Sequence, residues 1–146
     1  MRKYNFKLEP ILSIRESIEK EWEAKLGSAN GECQKIMTRI NHYREQITIS
    51  KNNAVEITQY QIRCIYEARL EQQILKAQSE LKEKEQIRDQ VKEVYLEKSR
   101  DRKVIDKIKD KSIAKHKKYV IKEETQFVDE INNASKIRET MLGGAS

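Results

Sequence analysis

YREQITISKNNAVEITQYQI, residues 43–62, is where two periodic apolar stretches meet across a short polar run. Tyr43 and Ile47 close one helical pattern, and Ile62 opens another. Between them Lys51, Asn52 and Asn53 suit a chain reversal, because Asn tolerates the left-handed backbone better than most residues. Asn53, with Glu56 three positions on, reads as a helix start of the capping-box kind. A link this short makes the flanking helices antiparallel neighbours. The expected fold is therefore all-α: two long helices in an antiparallel coiled-coil hairpin, as one domain. The first helix is expected at about residues 8–48, the turn at about 49–53, and a longer second helix at about 54–138.

Upstream of the turn, Leu8, Ile11, Arg15, Ile18, Trp22, Leu26, Ala29, Cys33, Ile36, Ile40, Tyr43 and Ile47 recur at steps of three and four. That is coiled-coil spacing, with one repeated four-step from Trp22 to Leu26 that implies a small phase shift. Gly27 and Gly31 follow it and predict a soft spot, since each costs about 1 kcal/mol against Ala in a helix interior. Pro10 fits a first helical turn, with Phe6 and Leu8 as an extended lead-in.

Downstream, the seam reads Ile62, Ile65 or Tyr66, Arg69 or Leu70, Ile74, Ala77, Leu81, Val91 and Tyr95. The tract EKSRDRK (97–103) interrupts it, and it resumes as Ile105, Ile108, Val120, Phe127, Ile131, Ala134 and Ile137. Residues 140–146, ending in GGAS, are expected to fray. A turn centred near residue 52 would set Leu8 opposite Tyr95 and leave everything beyond about Leu96 as an overhang. Apolar residues on an unpaired helix stay exposed unless another molecule covers them, so the overhang argues for a partner.

Composition narrows the function classes. Charged residues make up 37% of the chain and aromatics 6%, with four glycines and one proline, which fits long solvated helices rather than a turn-rich globule. No run is long and apolar enough to span a bilayer, and the N-terminal stretch lacks the apolar core of a secretory signal. Cys33 and Cys64 have no paired spacing, which points to free thiols in a reducing cytoplasm. His42 and His116 lie far apart, no Cys/His spacing fits a metal, and a two-helix rod offers no pocket to shift a pKa. No enzyme activity, metal or cofactor is expected.

The net charge of +6 is uneven. Between Glu97 and Lys118 ten Lys or Arg stand against four Asp or Glu, so the whole excess lies there. With Asp101, Asp106 and Asp110 among them and only Tyr119 aromatic nearby, a solvated helix or a dock for an acidic protein fits better than nucleic-acid binding. Near the turn, Ile36, Ile40, Tyr43 and Ile47 are expected to face Ile62, Tyr66 and Leu70. Tyr43, Tyr60 and Tyr66 are candidates for an exposed patch, since Tyr suits surfaces with one wet edge.

The pattern Phe6-x-Leu8-x-Pro10-x-Leu12-x-x-Arg15-Glu16, then Glu19 and Glu21, opening a long helix of a hairpin this size, resembles the FliJ family of flagellar export proteins. QFVDEINN (126–133) also sits where that family often carries an Asp–Glu pair. The resemblance implies a component of the flagellar type III export apparatus that is cytoplasmic and peripheral to the membrane through its partners. It implies a coiled coil like the central stalk of rotary ATPases, a monomer when isolated, that binds the hexameric export ATPase and promotes its assembly and activity. It also implies contacts with the export gate protein FlhA and with export chaperones, and no nucleic acid.

Carried onto this chain, the resemblance places Phe6, Leu8, Ile11, Leu12, Phe127, Ile131 and Ile137 against the ATPase ring. It places Ile36, Ile40, Tyr43, Ile47, Ile62, Tyr66, Arg69 and Gln73 at the gate contact. Basic residues on the rod's flank would meet acidic loops and speed association. Two other readings stay open: a generic coiled-coil scaffold or chaperone-like hairpin, and a basic nucleic-acid-binding helix.

Overall fold

The computed structural model describes residues 3–143. These form two α-helices, α1 (Glu9–Asn52, 44 residues) and α2 (Ile57–Gly143, 87 residues), and no strand. The fold is all-α, an antiparallel helical hairpin with the second helix longer. Packing divides the chain into two compact units, one formed by Arg15–Arg100 and the other by the residues up to Ile14 together with those from Asp101 onward.

In the unit Arg15–Arg100, one row of half-buried or buried positions on α1 is Arg15, Glu19, Trp22, Leu26, Ala29, Cys33, Ile36, Ile40, Tyr43, Ile47 and Ser50, with Ile18 and Gln46 half-buried beside it. On α2 the row is Arg63, Glu67, Leu70, Ile74, Ala77, Leu81, Lys84, Arg88, Val91, Tyr95 and Lys98, with Glu85, Val94 and Ser99 beside it. Both rows alternate steps of four and three without interruption, the spacing of a coiled-coil seam. The apolar centre is the cluster of Ile36, Ile40 and Ala77, with Ile74 and Leu81 packed against it. Arg39 on α1 pairs with Glu80 on α2 at 2.6 Å beside that cluster and holds the register.

The seam differs from expectation in three places. The phase shift between Trp22 and Leu26 is absent, because Glu19 as well as Ile18 is half-buried and restores the regular step. The coiled coil keeps its period by seating a charged residue whose stem is apolar. Ile62, Ile65 and Tyr66 are exposed, and Arg63 and Glu67 hold the seam instead. The cause is the last α1 seam residue, Ser50, whose Oγ donates to Glu67 Oε1 at 3.1 Å while Arg63 Nε donates to the same oxygen at 3.2 Å. A polar residue at the end of α1 calls for polar partners on α2. Consequently Ile36 and Ile40 face Ala77, and not Ile62 and Tyr66.

The link comprises residues 53–56, later than the expected turn. Among the described residues no non-glycine residue has positive φ, so the reversal is spread over the link and not taken up by a left-handed Asn. Arg63 Nη1 reaches back to the Asn53 carbonyl at 2.9 Å, and Gln59 N donates to Glu56 O at 2.9 Å where α2 begins.

α1 runs unbroken through Gly27 and Gly31, where an added Cβ would meet only open space. Each glycine therefore carries the backbone-entropy cost of a helix interior with no packing reason for it. Gly27→Ala and Gly31→Ala are each expected to stabilise the chain by about 0.5–1 kcal/mol. Thermal melts followed by far-ultraviolet circular dichroism should show each variant melting a few degrees above the parent.

In the other unit, residues 3–6 have no regular structure and 7–8 form a turn leading into α1. Glu9 N donates to Phe6 O at 3.2 Å and Leu12 N to Leu8 O at 2.9 Å. Pro10 falls in the first helical turn, where backbone N–H groups have no intrahelical acceptor anyway. Phe6, Leu12 and Ile105 form a buried cluster, with Tyr4 and Leu8 against it. Leu12 is 2% exposed and Ile11 is 41% exposed, so the seam passes through Leu12 and not Ile11.

Glu9 pairs with Lys109 at 2.9 Å, and the Tyr4 ring lies 5.2 Å from the His116 ring. Leu8 thus lies beside this part of α2 rather than opposite Tyr95. α2 is continuous through EKSRDRK, with Ser99 buried and Lys98 and Arg102 half-buried. The exposed stretch accordingly begins at Ile121 and not near Leu96, and every residue from 121 to 143 is exposed. The helix persists to Gly143, whereas fraying was expected from residue 140; residues 144–146 of that stretch lie outside the described residues.

Candidate partner-binding surfaces

His42 is exposed and shares a 3.2 Å hydrogen bond with Gln46. His116 is half-buried beside Tyr4, whose hydroxyl is buried without a hydrogen-bond partner. Among the described residues no three His, Cys, Asp or Glu converge as metal ligands, and no helix is long and apolar enough to cross a membrane. Cys33 is buried in the seam and Cys64 is exposed.

The residues expected to meet an ATPase ring separate into two kinds. Phe6 and Leu12 are buried in the chain's own cluster with Ile105, and Leu8 is half-buried against them. They hold the N-terminal lead-in to α2 and have little exposed area. Ile11 is exposed, as are Phe127 at 64%, Ile131 at 52% and Ile137 at 57%. At helical spacing Phe127, Ile131, Ala134 and Met141 share one face, with Ile137 at its edge. Exposed apolar residues are ordinary when scattered and informative when contiguous on one face.

The expected gate residues separate in the same way. Ile36 and Ile40 are core, and Tyr43 and Ile47 are half-buried seam. Ile62, Tyr66, Arg69 and Gln73 are exposed on α2. Tyr66 Oη donates to Gln46 Oε1 at 2.9 Å, so its ring edge stays wet while the ring stands beside Ile62. Ser50, Asn53, Val55, Gln59, Ile62, Arg63 and Tyr66 line a shallow groove of about 410 Å³ at the end of the hairpin.

Val55, Ile57 and Tyr60, with Ile57 93% exposed, extend the apolar surface around that end. Periodicity could not single out Val55 and Ile57, because it finds residues that face a partner helix. These instead lie where α2 begins, before its first seam residue.

The family model for the flagellar FliJ protein matches residues 4–140. No curated protein and no solved structure matches the chain.

Proposed function

The chain belongs to the flagellar FliJ protein family, and on that premise we propose that it is a component of the flagellar protein export apparatus, acting as a coiled-coil rod that engages the hexameric export ATPase. The observation that carries the ATPase contact is the helical segment 121–143, exposed at every position yet apolar along one face. Phe127, Ile131 and Ile137 are its anchors, with Ile11 as a further exposed residue near the start of α1. Phe6, Leu8 and Leu12 support the unit from within by fastening the lead-in to Ile105.

The rod itself performs no chemistry. By touching ATPase subunits differently around the ring, it links rod orientation to nucleotide state and biases assembly and hydrolysis. The second surface is the hairpin tip, where Ile62, Tyr66, Arg69 and Gln73, flanked by Val55, Ile57 and Tyr60, form the surface for the export gate FlhA. Export chaperones are further partners. In isolation the chain is a cytoplasmic monomer, held near the membrane through these contacts.

Amide hydrogen exchange tests the ATPase assignment. With the cognate export ATPase present, exchange should slow across residues 121–143, while residues 33–47 and 70–81, already packed in the seam, keep their rates. Protection at the hairpin tip alone would reverse the assignment of the two surfaces.

A further inference from the structure

The basic tract of α2 is not an evenly charged cylinder. Arg102 pairs with Asp106, and Lys109 with Glu9, both on the side that packs around Ile105. The remaining charge is sorted. Lys103, Lys107, Lys111, Lys115, Lys118 and Lys122 follow one another at steps of four, four, four, three and four, and all six are exposed. This spacing places them in one row along the side of α2 opposite Ile105 and His116.

Asp101 and Asp110, both exposed, border the row on either side, and none of the six lysines makes an ion pair among the described residues. Exposed aliphatic residues flank it at Val104, Ile108 and Ile121.

We infer that this row is a docking strip for an anionic lipid surface, laying α2 along the membrane face directly and not only through protein partners. Nineteen residues of helix separate the first and last lysine, about 29 Å at the helical rise. At 3.6 residues per turn the six positions spread over about 120° of the helix surface, an arc that flexible lysine stems can bring to one plane. Lysine is suited to such a surface, since its flexible stem carries a point charge that needs no fixed bidentate partner. Basic residues near an anionic leaflet each add attraction, and short aliphatic neighbours reach the headgroup zone. Nucleic acid fits less well: the six members are all lysine, and Tyr119 is the one aromatic residue on α2 between Asp101 and Val120 that could stack on a base.

The test is co-sedimentation of the full chain with vesicles of phosphatidylcholine containing about one-third phosphatidylglycerol, against pure phosphatidylcholine, near physiological salt. The parent should bind the anionic vesicles and not the neutral ones. A quadruple variant, Lys103→Gln, Lys107→Gln, Lys111→Gln and Lys118→Gln, should bind about tenfold more weakly or worse. A control of equal net charge, Lys20→Gln, Lys35→Gln, Lys76→Gln and Lys92→Gln, should stay within about twofold of the parent.

Gln has nearly the helix propensity of Lys and all eight positions are exposed, so both variants keep the fold. Equal loss in the two variants would reduce the effect to net charge and overturn the proposal. So would binding without preference for anionic lipid, or tighter row-dependent binding to a nucleic-acid duplex than to the vesicles.

Discussion

Replacing Ile40 by aspartate should abolish the cooperative melting of the unit Arg15–Arg100. Ile40 lies with Ile36 and Ala77 in the buried apolar cluster of its seam, and it is 5% exposed. Truncating a buried Ile costs about 2–5 kcal/mol by itself. A carboxylate there would also lose its water with no cation in the cluster to pair with, which adds a further desolvation cost. Arg39, the nearest seam-flanking cation on α1, is already committed to Glu80.

The stability of small domains is about 5–15 kcal/mol, so one such change removes a large part of it. Ile40→Val, a single methyl, should cost only about 1 kcal/mol. Ile62→Asp should fall within about 0.5 kcal/mol of the parent, because Ile62 faces solvent. Thermal melts followed by circular dichroism and by the fluorescence of Trp22, the sole tryptophan and part of the same unit, measure all three. An Ile40→Asp chain that melts like the parent would mean that the seam does not hold the two helices together.

The second large effect should appear in binding with stability left intact. Phe127→Ala, Ile131→Ala and Ile137→Ala combined remove the apolar anchors from the exposed segment of α2. None of the three side chains belongs to a packed cluster, so no cavity is created. Alanine is also the best helix former, so the segment should gain helicity, and unfolding does not explain a loss of binding. Interface anchors cost more than about 1 kcal/mol each on truncation. Three together should weaken binding to the export ATPase about a hundredfold. Sedimentation or fluorescence titration measures the affinity, and circular dichroism the retained helix. A triple variant that binds as tightly as the parent would place the contact elsewhere.

How far the sequence foretold this structure depends on the residue in question. Cys33, Ile36 and Ile40 were legible because uncharged residues at coiled-coil spacing on α1 have one packing solution. Ile11 and Leu12 were not separable, since both are apolar neighbours and steps of three and four from Leu8 are equally regular; the turn of chain at Phe6–Leu8 decides for Leu12. Ile62 and Tyr66 were misread because apolar periodicity ignores charged seam residues, whereas Ser50 at the end of α1 makes Arg63 and Glu67 the better fit.

The same blindness placed the overhang too early, at about Leu96. The pairing of Glu9 with Lys109, and of Tyr4 with His116, depends on polar side chains that no hydrophobic pattern counts. Of the candidate contact residues, Phe127, Ile131 and Ile137 are exposed, while Phe6, Leu12, Ile36 and Ile40 are core. Burial separates a partner-facing Ile from a seam Ile, and a list of apolar positions does not contain it.

The rate of ATP hydrolysis by the cognate flagellar export ATPase, titrated with the purified chain where the ATPase forms rings, is the decisive measurement. The rate should rise with added chain and saturate near one chain per ring, and the triple alanine variant should leave it at the basal value. An unchanged rate with the folded parent chain would contradict a stalk role in the export ATPase.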